Sequence, residues 1–267
     1  MTGIAPVPSG TLVDRALAEL RQGACSSREL AQRVLGLPNA PETVAERLLV
    51  ALLGADPRVH RLGDDRWSMV AAATGSPLLE ECAFAVVDVE TTGLRAGLDD
   101  RITEIAIVIH HGGRREVVVD SLVNPGRPIP APVSALTGIT DAAVRQAPTF
   151  ADLADQVTTA LSGRVFVAHN ARFDWGFVGA ELNRARGLVL EGPRLCTVRL
   201  SKQLVRGAGS CALDSMSEYF GLENPARHRA AGDAMVTAQL LDRLLPLARE
   251  RGARTLLDLE LLQRKAA

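Results

Sequence analysis

Three short stretches of the 267-residue sequence gather side chains able to do chemistry together. The first is Phe84-Ala-Val-Val-Asp-Val-Glu-Thr-Thr-Gly93. Period-two alternation puts Phe84, Val86, Asp88 and Glu90 on one face of a strand, with Ala85, Val87 and Val89 on the other. Two carboxylates therefore emerge together at the end of an apolar strand. In a partly dry site they repel, and one takes up a proton unless a cation sits between them. An all-oxygen set suits Mg²⁺ or Mn²⁺ rather than Zn²⁺; the same pair also suits a solvated strand end. Gly93 is read as letting backbone approach a ligand closely.

The second stretch is His169-Asn-Ala-Arg-Phe-Asp174, where a strand hands over to a helix. Asp174 lies about one turn in, and alone it fits either a ligand or an acid complementing the helix dipole. The third is His228-Arg-Ala-Ala-Gly-Asp233, opening a long helix. On a regular helix a five-residue step sets two side chains roughly 140° apart. His228 and Asp233 can serve one centre only if His228 precedes the helix, in a loop begun by Asn224-Pro225.

These side chains need elements to hold them. From Leu78 the sequence alternates β runs and helical segments, which predicts an α/β domain. Strands are expected at Phe84–Val89, Ile102–His110, Arg115–Val123 and Arg164–Ala168, the first three as an antiparallel meander joined by short Gly-containing links. Helices are expected near Phe150–Leu161, Phe173–Ala185, Cys196–Leu204, Leu213–Phe220 and Ala230–Leu244. Residues 1–75 read as a separate module. It has a helix on Leu12, Val13, Ala16, Leu17 and Leu20, and a second from the capping box Ser26-x-x-Glu29. A third, opened by Pro41, carries Val44, Ala45, Leu48, Leu49 and Leu52 on one side. A hairpin about Gly63-Asp64-Asp65 follows. Three helices then a hairpin is the order of a winged helix, suited to a protein or a duplex-DNA partner. Residues 76–81 are expected as a linker, 82–246 as the main domain and 247–267 as a helical tail.

Asp88-x-Glu90-Thr-Thr-Gly, His169-Asn-x-x-Phe-Asp174 and His228-x-Ala-x-x-Asp233-Ala together resemble the three exonuclease motifs of the DEDDh family. Its type is the proofreading subunit of bacterial replicative polymerase. Order and spacing agree over about residues 82–246, and Val123-Asn-Pro125, Thr137-Gly-Ile-Thr-Asp141 and Ala147-Pro-Thr-Phe150 are similar too. The resemblance implies an RNase H-like fold: a mixed five-stranded sheet flanked by helices, here preceded by the small α+β winged-helix-like module. It implies 3′→5′ hydrolysis of nucleic acid to nucleoside 5′-monophosphates. Asp88, Glu90, Asp174 and Asp233 would hold two Mg²⁺ or Mn²⁺ ions, with His228 as general base. Thr91, Thr92 and Gly93 would meet the terminal 3′-hydroxyl, Leu94 would wedge against the last base, and His169, Asn170 and Phe173 would be further substrate contacts. Cys196-Thr-Val-Arg departs from the family's Asp-Thr-Leu, and no sliding-clamp motif is visible. Gly252-Ala-Arg-Thr-Leu-Leu-Asp-Leu resembles tails of repair-associated members. The expected substrate is a DNA 3′ end, single-stranded or frayed, in repair or end trimming. The alternatives are an RNA-trimming nuclease and a winged-helix regulator with a nuclease-like scaffold.

Composition sets bounds. With 47% apolar and 23% charged residues the chain can bury a core. No apolar run is long enough to span a bilayer, no secretory signal opens the sequence, and four scattered cysteines suit reduced thiols in a cytoplasm. A net charge of −1 and 3% aromatic residues at first argue against a polyanionic partner. Four of the acids belong to the proposed metal site, however, and two divalent ions would reverse the sign. Residues 164–206 also carry eight basic side chains against three acids, a candidate track for a phosphate backbone.

Overall fold

The computed structural model describes residues 11–56, 58–62, 66–69, 76–207, 209–224 and 226–264. The expected turn at 63–65, Val70, the segment 71–75 and Pro225 lie outside the described residues, as do both ends of the chain. The described chain forms two compact units. One holds the residues up to Leu79 with Ala248–Asp258, the other Glu80–Leu247 with the residues from Leu259.

The first unit contains α1 (Leu12–Leu20), β1 (Cys25–Ser26), α2 (Ser27–Leu35), α3 (Glu42–Leu53), β2 (Val59–Arg61) and β3 (Arg66–Met69). Thr11 and Ser26 each open their helix with a capping box, closed by Asp14 and Glu29; such a cap contributes about 1 kcal/mol. Hairpin strands β2 and β3 pair as expected, and β1, too short to show a period, adds a third strand in the order β1-β3-β2. Trp67 on β3 donates its indole N–H to Ser27 Oγ at 3.0 Å inside this core. The apolar face of α3 differs from expectation. Ala45, Leu49 and Leu53 are buried, whereas Val44 and Leu48 are exposed. The seam follows the i, i+4, i+8 row, narrower than the apolar set in the sequence. The supposed linker is also pinned at its end: Leu78 bridges Thr255, and Leu79 N–H donates to the Arg254 carbonyl.

The second unit is built on β4 (Phe84–Thr91), β5 (Ile102–His111), β6 (Arg114–Leu122), α4 (Ala131–Thr137), α5 (Asp141–Val144), α6 (Phe150–Leu161), β7 (Val165–Ala168), α7 (Ala171–Arg186), β8 (Arg194–Cys196), α8 (Thr197–Leu204), α9 (Leu213–Phe220) and α10 (Ala230–Glu250). A last helix, α11, spans Leu256–Arg264. The sheet order is β6-β5-β4-β7-β8. The first three strands form the antiparallel meander, and β7 and β8 run parallel to β4. This is the expected mixed five-stranded sheet. Its fifth strand, β8, is only three residues long, and Cys196 ends it rather than starting the next helix.

Central strand β4 is buried on both faces, as crossover helices require. Ala85, Val87 and Val89 pack in one cluster with residues of α6 and α7, among them Phe150, Val157, Phe177 and Val178. On the opposite face, His110 and Arg115 both bond Asp242 of α10, the former at 2.5 Å. Arg101, at the start of β5, donates bidentately to the buried Glu181 of α7 at 2.6 and 2.9 Å. That charge-assisted fork fixes the helix bearing Asp174 against the meander.

Candidate active site

The register of the sheet decides which ends meet. Phe84 pairs with Val165 and Val86 with Val167, so β7 ends level with Val87, one residue before Asp88. A bulge between Glu90 and Thr91 closes the β4 ladder where the second carboxylate sits. Helix α10 supplies Asp233 from its first turn. Carboxylate oxygens of Asp88, Glu90 and Asp233 lie within 4.8 Å of one another. Asp174, buried one turn into α7, accepts the Val89 N–H at 3.3 Å, which anchors it beside the strand between the other two acids of β4.

The electrostatics are those of acids forced together. Burial, then the charges of Asp174, Asp233 and Glu90, hold the Asp88 carboxyl well above the ordinary carboxylate range. Burial raises Asp174 to about 8 against two backbone hydrogen bonds that lower it. Glu90 goes to about 7 by burial, with Asp233 and Glu104 adding to the rise. Burial raises Asp233 too, partly offset by hydrogen bonds from Asn224 and His228. Either protons or cations must neutralise this cluster. An all-carboxylate donor set at this spacing fits hard divalent cations such as Mg²⁺ or Mn²⁺.

His228 precedes α10, as a common centre with Asp233 demands. Its backbone N–H donates to Asp233 Oδ2 at 3.1 Å, and Asn224 Nδ2 donates to Oδ1 at 2.5 Å. The loop ahead of the helix thus holds both oxygens of one carboxylate. Among the described residues only His228 (φ 56°) and Asn170 (φ 76°) are non-glycine residues in the left-handed region. Such backbone costs on the order of 1 kcal/mol or more and persists where its surroundings impose it. Gly232 belongs to the same arrangement, since a Cβ there would strike the carbonyl of Ala226.

The remaining expected residues divide. Thr91 and Thr92 are buried and spend their hydroxyls locally. Thr91 Oγ1 donates to the Gly93 carbonyl at 2.5 Å, and Thr92 Oγ1 accepts the Arg101 N–H at 3.0 Å. The need for glycine at 93 has a nearer cause than a ligand: a Cβ would sit 2.5 Å from the Asp100 carboxylate, which accepts the Arg95 N–H. Leu94 is 83% exposed, an apolar side chain left in solvent just beyond the end of β4. His169 Nδ1 pairs with Thr197 Oγ1 at 2.9 Å, and burial lowers the imidazole to about 4, so it is neutral. Phe173 packs on Phe177 with ring centres 4.8 Å apart and belongs in part to the core.

One participant escaped sequence reasoning. Glu104, opposite Glu90 on β5 and 1% exposed, accepts from Arg229 Nε and Nη2 at 2.9 and 2.6 Å and from the Ala230 N–H at 2.9 Å. It caps α10 from across the sheet and so sets the position of His228 and Asp233. An acid inside an otherwise apolar strand, Ile102-Thr-Glu-Ile-Ala-Ile-Val, was the available signal.

The chain is similar to known proteins. The exonuclease family model RNase_T matches residues 85–241, more than half of the chain. The chain is 42% identical over 184 residues to a DNA polymerase III subunit epsilon-like protein of Rhodobacter capsulatus, covering 66% of this chain and 26% of that protein. It is 36% identical over 179 residues to the 3′-5′ exonuclease DinG of Bacillus subtilis, covering 67% of this chain and 19% of that one. The chain therefore spans only about a fifth to a quarter of the length of these curated relatives. Among solved structures, exonuclease X in complex with 5′-overhanging duplex DNA superposes with a TM-score of 0.53 at 27% identity, over 67% of this chain and 99% of that one.

Proposed function

Because the chain belongs to the RNase_T exonuclease family, we propose that it is a metal-dependent 3′→5′ exonuclease. It would hydrolyse single-stranded or frayed DNA 3′ ends to nucleoside 5′-monophosphates. The observation that carries this reading is the cluster of Asp88, Glu90 and Asp233 within 4.8 Å, electrostatically coupled to Asp174. Asp88, Glu90, Asp174 and Asp233 would hold two Mg²⁺ or Mn²⁺ ions. When bound, such ions supply charge for the developing phosphorane oxygens and make water more acidic.

The chain's own groups do the rest. His228, in the loop ahead of α10, takes the proton of the attacking water at an imidazole nitrogen. Asp233 accepts the His228 backbone N–H and so ties the base to the acid cluster. With the hydroxyls of Thr91 and Thr92 engaged locally, the backbone of Thr92 and Gly93 is what the segment offers a 3′-hydroxyl. Leu94 stacks against the terminal base, as its exposure suits. Asn170 and Phe173 line the approach, and His169 steadies it through Thr197. The three helices and small sheet of residues 11–69 suit a winged-helix-like module that places the nuclease on its partner, protein or duplex DNA. Repair or end trimming in the cytoplasm is the setting this implies. Among the described residues no helix is long and apolar enough to cross a membrane.

The test uses single-stranded oligonucleotides labelled at the 5′ or the 3′ end, as DNA and as RNA of equal length, with Mg²⁺, Mn²⁺ or chelator. A 5′ label should yield a descending ladder and a 3′ label a mononucleotide at once, with DNA cut faster. Chelator and Asp88→Asn should each abolish both. Full activity surviving either change contradicts the reading.

A further inference from the structure

Parallel strands β7 and β8 end on one level, since Ala168 pairs with Cys196, and that level is Val87 of β4, one residue before Asp88. At that level, beyond the ends of β7 and β8, a pocket of about 500 Å³ opens two strands away from Asp88. Strand spacing makes that offset ~10 Å. Four cations line the pocket: Arg172 from the first turn of α7, Arg194 from β8, and Arg199 and Lys202 from α8. No carboxylate lines it.

Arg101, Arg115, Arg186, Arg227 and Arg229 each pair with an acid. Among the described residues none of the four pocket cations has a carboxylate partner, and all four are exposed. Arg194 is held instead over the Trp175 ring, 5.3 Å from its centre, which orients the guanidinium and leaves its donors free. The backbone of β8 behind it is braced by Gln263, whose Oε1 accepts the Cys196 N–H at 2.9 Å and whose amide donates to the Arg194 carbonyl at 2.8 Å. Four like charges gathered without a counterion, in a chain of net charge −1, call for an anion. Planar guanidinium forks match phosphate oxygens.

We propose that this pocket binds a backbone phosphate of the same strand whose 3′ end occupies the carboxylate site, on the 5′ side of the scissile linkage. The inference rests on the nuclease reading for the identity of the strand. It adds a second point of attachment, which fixes the direction in which the strand leaves the site and favours substrates longer than a single linkage. A substrate with one phosphodiester and nothing upstream would not reach the pocket.

The test compares the full chain with Arg199→Glu/Lys202→Glu, two exposed positions away from the acid cluster. Binding of a 5′-fluorescent single-stranded oligonucleotide is followed by anisotropy over a range of salt. Turnover of the p-nitrophenyl ester of thymidine 5′-monophosphate, which carries one phosphodiester only, is measured alongside. The variant should bind the oligonucleotide about tenfold more weakly. Its salt slope should be shallower by about 0.7, the loss of one phosphate contact, with ester turnover unchanged. Unchanged binding and salt slope would overturn the pocket's role. Absence of ester turnover in the unaltered chain would count against the nuclease reading instead, while the binding comparison would still decide the pocket.

Discussion

A carboxylate buried among carboxylates has two ways to persist, a proton or a cation. Asp174 at about 8 and Glu90 at about 7 are the measure of that choice. The spacing of Asp88 and Glu90 made their shared face legible from alternation alone. Asp174 was ambiguous, because an acid in a helix's first turn has a sufficient reason to be there without a ligand. Burial and the bond from Val89 place its carboxylate inside against β4, and neither leaves a trace in local sequence. His228 was likewise readable only through the five-residue step to Asp233. Its place before α10 agrees, and its left-handed backbone shows that the loop is held. The proposal that His228 is the general base makes a specific prediction. His228→Ala should lower kcat by ~10²–10⁴ while KM for an oligonucleotide changes little, read from steady-state hydrolysis; unchanged kcat would remove His228 from the mechanism.

At the scale of elements, the long periodic segments were legible and the short ones were not. Helices α6 and α9 fall on their expected bounds, and β4, β5 and β6 within two residues of theirs. Strands β1 and β8, of two and three residues, are too short to carry a period; pairing with longer neighbours makes them strands. The face of α3 was misjudged because Val44 and Leu48 are apolar yet lie off the buried row. The link from β5 to α10 through Glu104 was invisible for another reason. It joins residues 125 and 126 positions apart, and no local pattern encodes such a pairing. Glu104→Gln leaves the buried Ala230 N–H and Arg229 poorly matched, so stability should fall by about 1–3 kcal/mol. Because Glu104 positions His228 and Asp233, kcat should also fall well below the melting temperature, with KM nearly constant. A lower melting temperature with kcat intact would make Glu104 a structural residue only.

For the whole molecule, the net charge of −1 is a poor guide to partners, since charge is distributed with opposite signs over neighbouring regions. The acid cluster also ties stability to pH. Glu90 rises from 4.5 to about 7 and Asp174 from 3.8 to about 8, so the metal-free folded chain holds protons that the unfolded chain releases. Their contribution is fully present below the unfolded values and is lost as pH rises through about 8. The melting temperature of the chelated protein should therefore fall across that window. Saturating Mg²⁺ should raise it most at the upper end, where the carboxylates are ionised and repel. An equal Mg²⁺ effect at both ends of the window would show that the ion binds elsewhere.

The central claim, that Asp88, Glu90, Asp174 and Asp233 form a divalent-metal centre, is tested most directly by anomalous diffraction from crystals soaked in Mn²⁺. The account predicts anomalous peaks among those four carboxylates, absent in Asp88→Asn crystals treated identically. Peaks confined to other surfaces, or none at a Mn²⁺ concentration that supports hydrolysis, would contradict it.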